Sequence, residues 1–432
     1  MLLDGMDRTK RMELLLSIAL GIAFVGYLCA IYFGNLDTEV VRDRYWKDAE
    51  PLFNGEIPII EYPPLALVFF AIPRIFFSSP MGYDVGYVIM TYIFTIIGME
   101  LIRRIAERCG FSQWWSMLVY SVLMVLMLQF ITDRYDIIPA IMTLGAFYLL
   151  LTKRTAFAFI LLALAMMTKL YPAIFLPVFL MTYFVRKEWK EMFMGLFWFI
   201  VGTLIVVVPC MLIDSDLVFG FLGYHTARPL EVGSMPATLI YPFSMLGITD
   251  TWIMPATMEG SYGSDDLRGP WCDGLAPFLT PLMGIVIITL ILFYGHLRSR
   301  TERVDERIFY IVSTLTLTLI TFMLIGKVFS SQYLIWAIPF LTIVVAMIKD
   351  RKTRWRILWT AILSFALTQI NFLYIFGITG GGENITDLAM ISMLVRNLMI
   401  LAIGVMIFKE MLRVSREGYG GEDSCKDIPF GF

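Results

Sequence analysis

The chain is short of charge. Asp, Glu, Lys and Arg make up 16% of its 432 residues, against about 25% in soluble globular domains. With 58% hydrophobic residues and a mean hydropathy of +0.75, that shortage excludes a soluble domain and marks a polytopic membrane protein. Histidine is scarcer still, with His225 and His296 alone. The five cysteines (Cys29, Cys109, Cys210, Cys272, Cys425) stand apart without metal-ligand or redox spacing, so no metal centre or disulfide framework is expected. No basic domain or nucleic-acid motif is present, which excludes nucleic acid as an expected partner. P-loop, Rossmann and kinase patterns are missing as well. That argues against an ATP-driven pump and against an enzyme with a cytosolic nucleotide-sugar domain. The formal net charge of −2 says little, because charge in such a chain is sorted by membrane side.

What the chain has in abundance is long apolar runs. A crossing helix needs about 20 apolar residues, fewer where neighbouring protein shields its ends. Segments near 14–33, 84–102, 114–131, 137–152, 155–168, 172–185, 193–213, 275–295, 308–325, 333–348, 357–376 and 388–408 meet that test. Lys and Arg then orient them, because short cytoplasmic loops are basic. Arg8, Lys10 and Arg11 precede the first segment; Arg103, Arg104 and Arg108 follow the second, and Lys153 and Arg154 the fourth. Arg186, Lys187 and Lys190 follow the sixth, Arg298 to Arg307 the eighth, Lys349 to Arg356 the tenth, and Lys409, Arg413 and Arg416 the last. Every second loop is basic and the others are not. The expectation is an all-α polytopic protein of about twelve transmembrane helices, with both termini cytoplasmic. It reads as one transmembrane domain over 1–432, with a first outer loop at 34–83, a long outer loop at 214–274 and a cytoplasmic tail at 409–432.

Some segments fit poorly. Leu65–Phe77 is apolar but bounded by prolines, too short to cross, and would invert the charge alternation; it reads as an interfacial or re-entrant helix on the outer side. The fourth to sixth segments are short and interrupted at Lys169-Leu-Tyr-Pro172, the mark of helices that stop partway and line a cavity. Residues 237–258 are apolar but rich in proline, and are expected to lie along the surface, although a pair of extra crossings there would also keep the charge alternation.

The polar residues that could do chemistry gather on the predicted outer face. Gly34–Pro64 carries Asp37, Glu39, Asp43, Asp48, Glu50, Glu56 and Glu61 beside a membrane boundary. Most are expected to be solvated loop acids. Asp37 or Asp43, however, stands where a base could reach a lipid-linked substrate whose head lies at the interface. Glu61-Tyr62-Pro63-Pro64 either starts a helix or holds the acidic loop rigidly over a site. Asp133-Arg134-Tyr135-Asp136 is either an internal ion pair at a helix junction or a place where Arg134 meets a phosphate with its planar donor set. Lys169 sits at a depth where a charge costs roughly 2.5–3.5 kcal/mol and must find an anion: a buried Asp, or the phosphate of a ligand, which is the preferred reading. His225-Thr-Ala-Arg228-Pro-Leu-Glu231 groups a histidine, a cation and an acid that could bind phosphate and sugar hydroxyls. Ser331-Gln332-Tyr333 opens an apolar segment, and His296 looks like an ordinary helix-end residue.

Taken in order, these pieces resemble the glycosyltransferase C superfamily, specifically its family 87 polyprenol-phosphate-mannose-dependent mannosyltransferases. The matching pieces are an acid soon after the first span, Gly55 with Glu61-Tyr62-Pro63-Pro64, Arg134-Tyr135-Asp136, Lys169-Leu-Tyr-Pro172, His225 to Glu231, and Ser331-Gln332-Tyr333 to Pro339. The resemblance runs over roughly residues 14 to 345; each motif is short, and the ordered set carries the specificity. It implies a glycosyltransferase C type fold with small outer-face juxtamembrane helices over a membrane-facing cavity. It also implies inverting transfer of a sugar, mannose, from a polyprenyl monophosphate to a lipid- or glycan-linked hydroxyl. A carboxylate of the first outer loop would be the base, mapping best to Asp37, with Asp43 the competitor because of its spacing to Tyr45 and Gly55. Arg134, Lys169, His225 and Arg228 would hold the donor phosphate. Glu39, Glu61, Tyr62, Asp136, Glu231 and Gln332 would meet the substrates. No cofactor is required, although the acids could hold a divalent ion. The expected partners are the lipid-linked donor, the acceptor and membrane lipid, with the chain itself a monomer. A transporter or flippase, and a polysaccharide polymerase or ligase using a diphosphate carrier, are the competing readings; the first predicts inverted repeats and charges deep in several spans.

Overall fold

A computed structural model describes residues 7–34, 41–220, 228–256, 258, 263–372 and 387–420, excluding the side chains of Ile31, Arg42 and Asp43. The expected base Asp37, with Glu39 and His225, lies outside the described residues. Within them the fold is nearly all helix.

The order is α1 (Arg8–Gly34), a π-helical turn Val41–Trp46 running into α2 (Lys47–Ala49) and a 3-10 turn Glu50–Asn54, then α3 (Ala66–Phe76), α4 (Pro80–Arg108), α5 (Gln113–Leu126) and α6 (Leu128–Asp133). Next come α7 (Ile137–Leu151), α8 (Thr155–Thr168), a 3-10 turn Tyr171–Phe175, α9 (Leu176–Phe184) and α10 (Trp189–Ile213). Then follow β1 (Leu230–Glu231), α11 (Met235–Met245), β2 (Trp252–Met254), β3 (Asp266–Arg268), α12 (Pro270–Ser299) and α13 (Val304–Ile325). A 3-10 turn Ser331–Tyr333, α14 (Leu334–Met347), α15 (Arg351–Ile370) and α16 (Asp387–Glu417) complete the chain.

Among the described residues six helices are long and apolar enough to cross a membrane: Arg8–Ala30 within α1, α4, α10, α12, α13 and α16. The other six predicted crossings fall on shorter helices or, for 357–376, on α15, which opens with Arg351, Lys352, Arg354 and Arg356. The predicted segment 114–131 is interrupted at Met127, where α5 gives way to α6. At about 1.5 Å per residue, α3 and α11 are each roughly 16 Å long, too short for a hydrocarbon core of about 30 Å. Residues 237–258 therefore form a short helix and a strand, not a crossing.

Packing shows where apolar surface meets lipid. α13 is buried along most of its length, so it forms the axis of the bundle. α10 and α12 are apolar all round and turn Phe197, Leu204, Val208, Phe278, Ile285 and Leu292 outward. In water so much exposed apolar surface would drive association; around a membrane bundle it is the lipid-facing side.

Several breaks in the helices fall at one end of the bundle. Pro172 and Pro177 prevent α8 from continuing past Lys169, and Gly326 ends α13 just before Lys327. Non-helical backbone is tolerated at such depth only where it is buried in protein or lines a cavity. The only strands among the described residues form a small antiparallel sheet, order β1-β3-β2, which pairs Glu231 with Asp266 and Met254 with Asp266 on its two sides.

Candidate functional site

The broken ends enclose a cavity of about 880 Å³. Its walls come from the juxtamembrane segment (Arg44, Tyr45), the loop before α3 (Glu61, Tyr62, Pro63), the α6–α7 junction (Arg134, Asp136) and the α8 break (Lys169 to Tyr171). The sheet contributes Arg228, Glu231 and Asp265, and the α13–α14 connection contributes Lys327 to Tyr333 and Trp336. Residues far apart in the chain thus share one space. It lies at the bundle end opposite the basic loops: α7 starts at Asp136 in the cavity and ends before Lys153-Arg154, and α13 starts after Arg303 and ends at the cavity.

The juxtamembrane segment is held over this space by aromatic packing. Tyr45 is fully buried, stacks on Phe70 at 4.4 Å and meets the Tyr135 ring edge-on at 5.7 Å. The Arg74 guanidinium lies 3.8 Å over Trp46 and pairs with Glu50 at 3.3 Å, which ties the segment to α3. Gly55, at φ 82°, ends the 3-10 turn in a left-handed conformation that glycine adopts without steric cost. The Leu65 amide then donates to Met167 O at 3.0 Å, docking the Pro63-Pro64 corner on the end of α8.

Glu61 and Tyr62 are occupied by a protein partner. Arg44 Nη1 donates to Glu61 Oε1 at 2.6 Å and to the Tyr62 hydroxyl at 3.1 Å. Burial pulls the Arg44 guanidinium down, but Tyr62 and Glu61 outweigh it and hold the group above its ordinary range. Asp48, not singled out in the sequence, is pushed up to about 6 by burial and then by Glu61, with Arg44 opposing; it does not line the cavity.

At the centre, Lys169 Nζ donates to Asp136 Oδ1 at 2.6 Å, and Trp336 Nε1 donates to the same oxygen at 2.6 Å. The aspartate side chain is buried at 1% exposed, and the lysine side chain is 15% exposed. The ammonium also lies 4.8 Å from the Tyr135 ring centroid, 5.3 Å from Trp336, 5.7 Å from Tyr333 and 6.0 Å from Tyr62. Trp336 in turn stacks with Tyr171 and Tyr333, each at 4.0 Å. Of the two anions weighed for Lys169, the one in contact with it is Asp136 of the protein, so neither residue meets the cavity as an isolated charge. Asp136 Oδ2 stays buried without a hydrogen-bond partner among the described residues.

Arg134 differs. Its neighbour Asp133 accepts from the Tyr27 hydroxyl at 2.7 Å, while Arg134 lines the cavity with a buried Nη1 that has no partner among the described residues. A buried guanidinium N–H without an acceptor is costly, and an anion entering the cavity would satisfy it.

The far wall combines cation and acid. Arg228 Nη2 donates to Ser264 Oγ at 2.7 Å, and Ser264 Oγ to Asp266 Oδ1 at 3.0 Å. Ser330 Oγ donates to Glu231 Oε1 at 2.8 Å, leaving Oε2 without a partner among the described residues. Lys327 stands nearby, and burial followed by the charge of Arg228 pulls its ammonium below the usual range. Gln332 also lines the cavity. Sequence reasoning placed Lys327 and Trp336 on the outer face but did not single out Ser264 and Asp265, which also line the cavity. Only the pairing of β1 with β3 brings 264–266 beside 228–231, and nothing in either stretch announces it.

Among the described residues no group of three or more His, Cys, Asp or Glu is placed to hold a metal ion. No curated protein is similar enough to the chain to count as a match. Residues 60–324, well over half of the chain, match the family model for glycosyltransferase family 87, and this stretch carries most of the cavity wall from Glu61 to Phe322. The helical membrane bundle has broken ends that line one cavity with cations and carboxylates, and the chain belongs to glycosyltransferase family 87.

Proposed function

We propose that this membrane glycosyltransferase moves mannose from a polyprenyl monophosphate to a hydroxyl of a lipid- or glycan-linked acceptor, on the extracytoplasmic face. The observation that carries the reading is the meeting of Arg134, Arg228 and Lys327 around one cavity of about 880 Å³. Lys169 there is balanced by Asp136, whereas the buried Nη1 of Arg134 has no partner among the described residues, an arrangement that suits an anionic substrate. Sidedness is supported by the cavity lying opposite the basic loops, which stay cytoplasmic.

The step is an inverting displacement. The acceptor hydroxyl loses its proton to a carboxylate of the first loop, Asp37 or Asp43, and its oxygen attacks the anomeric carbon. The bond from that carbon to the phosphate oxygen breaks, and a phosphodiester with one negative charge leaves as a phosphomonoester gaining a second. Arg134, whose Nη1 has no partner among the described residues, and Arg228 with Lys327 supply fixed positive charge where that second charge develops, the arrangement that contributes most to such reactions. Lys169, already balanced by Asp136, instead orients the aromatic floor of Tyr135, Tyr333 and Trp336 against which a sugar ring can lie. Glu231, Asp265 and Gln332 offer acceptors and donors for sugar hydroxyls. The cationic side chains provide the counter-charge, so the chemistry does not require a metal cofactor.

The test uses the purified chain in liposomes with radiolabelled polyprenyl-phosphate mannose and a membrane extract. Label should move to an acceptor with release of one polyprenyl phosphate per sugar. Asp37→Asn or Asp43→Asn, made separately, should abolish transfer in one case and spare it in the other. Intact donor with no labelled product, or full activity in both variants, would overturn the reading.

A further inference from the structure

We propose that Arg396, in the C-terminal helix α16, is a positioning residue of the transfer site: it holds the turn that presents Glu231 to the cavity. The inference rests on the reading above, that this cavity binds the sugar substrates. α16 lies entirely outside the stretch 60–324 that matches the family, and no motif marked Arg396 in the sequence.

Arg396 is 1% exposed and Asn397 fully buried. Arg396 Nη2 donates to Gly233 O at 2.7 Å, and Nη2 and Nε donate to Asn397 Oδ1 at 2.9 and 3.1 Å. Asn397 Nδ2 reaches the same Gly233 carbonyl at 3.2 Å and Thr238 Oγ1 at 3.0 Å. The guanidinium also lies 4.3 Å over the Phe329 ring. Two side chains of α16 therefore converge on one backbone oxygen, two residues from Glu231.

The turn they grip is fixed on its other sides as well. Glu231 N donates to Lys327 O at 3.0 Å, Val232 N to Asp265 O at 3.0 Å, and Ser234 N to Glu231 O at 2.9 Å. Gly233 has no room for a side chain, since a Cβ there would lie 2.9 Å from Phe329 O. A turn clamped in this way has little freedom of its own, so the Gly233 anchor sets the direction of the Glu231 carboxylate.

The test measures transfer with both substrates varied, in wild type, Arg396→Gln, Arg396→Lys and the buried control Ile403→Ala, each normalised to folded protein. A purely structural role lowers the folded fraction, as Ile403→Ala should, and leaves both KM values unchanged. The positioning role predicts that Arg396→Gln raises the KM of one substrate by about tenfold or more, the scale of one lost hydrogen bond to a charged group, and that Arg396→Lys recovers most of it. Unchanged KM values in Arg396→Gln beside an active wild type overturn the proposal. A wild type without transfer fails the underlying reading instead.

Discussion

Removing one partner of the Lys169–Asp136 pair is the sharpest perturbation this cavity offers. At 2.6 Å the gross attraction between unit charges is about 6 kcal/mol at an effective dielectric of 20. Desolvating two ions costs several kcal/mol each, so the intact pair is near neutral for stability. Breaking it is not, because a lone buried charge keeps its desolvation cost; that costs about 3–5 kcal/mol. Asp136→Asn should therefore destabilise strongly although Asn can still accept from Trp336 Nε1, and Lys169→Met should do the same by stranding the carboxylate. The double variant removes both charges together and should recover most of the loss. Denaturant unfolding in mixed micelles, run as a double-mutant cycle, reads the coupling, expected at about 2 kcal/mol or more. Additive single effects of a few tenths of a kcal/mol each would show that the charge of Lys169 does not depend on Asp136, and the account of the cavity centre would fail.

Arg134→Met should barely alter stability, because Nη1 has no protein acceptor among the described residues, yet raise the donor KM roughly ten- to a hundredfold by losing a charge-assisted bond. Arg134→Lys should recover only part, lacking the bidentate fork; a stability loss with unchanged donor KM would sink the assignment. Asp266 in β3 is pushed up to about 6 by burial, with Ser264 and Arg228 opposing and Glu231 adding. Its folded form thus keeps a proton that the unfolded chain gives up near pH 4, so its contribution to stability is present at low pH and is lost as pH rises toward 6. Asp266→Asn lacks this term, and its stability relative to wild type should climb between pH 4 and 6 and then level off; a flat difference would contradict the sign.

Composition alone established the membrane class, because a bilayer admits only chains whose charge is sparse and whose apolar runs are long, and both are visible residue by residue. Periodic interruption was legible for the same reason: Pro172 after Lys169 and Pro63-Pro64 before α3 mark helix ends by local sterics, and these ends do frame the cavity. Tertiary structure decided what those ends face. Whether Lys169 meets a ligand or Asp136 depends on an approach across 33 residues, and Trp336 joins them across 200. Strands of two and three residues carry too little pattern to be seen in advance, so Ser264 to Asp266 gained their place beside Glu231 only through the sheet. Arg396 is the extreme case: an unremarkable arginine in an apolar helix, given its partners by a contact to a backbone oxygen 163 residues away. Local chemistry tells where the chain must stop being helix, whereas the pairing of charges at those stops is a matter of three-dimensional proximity.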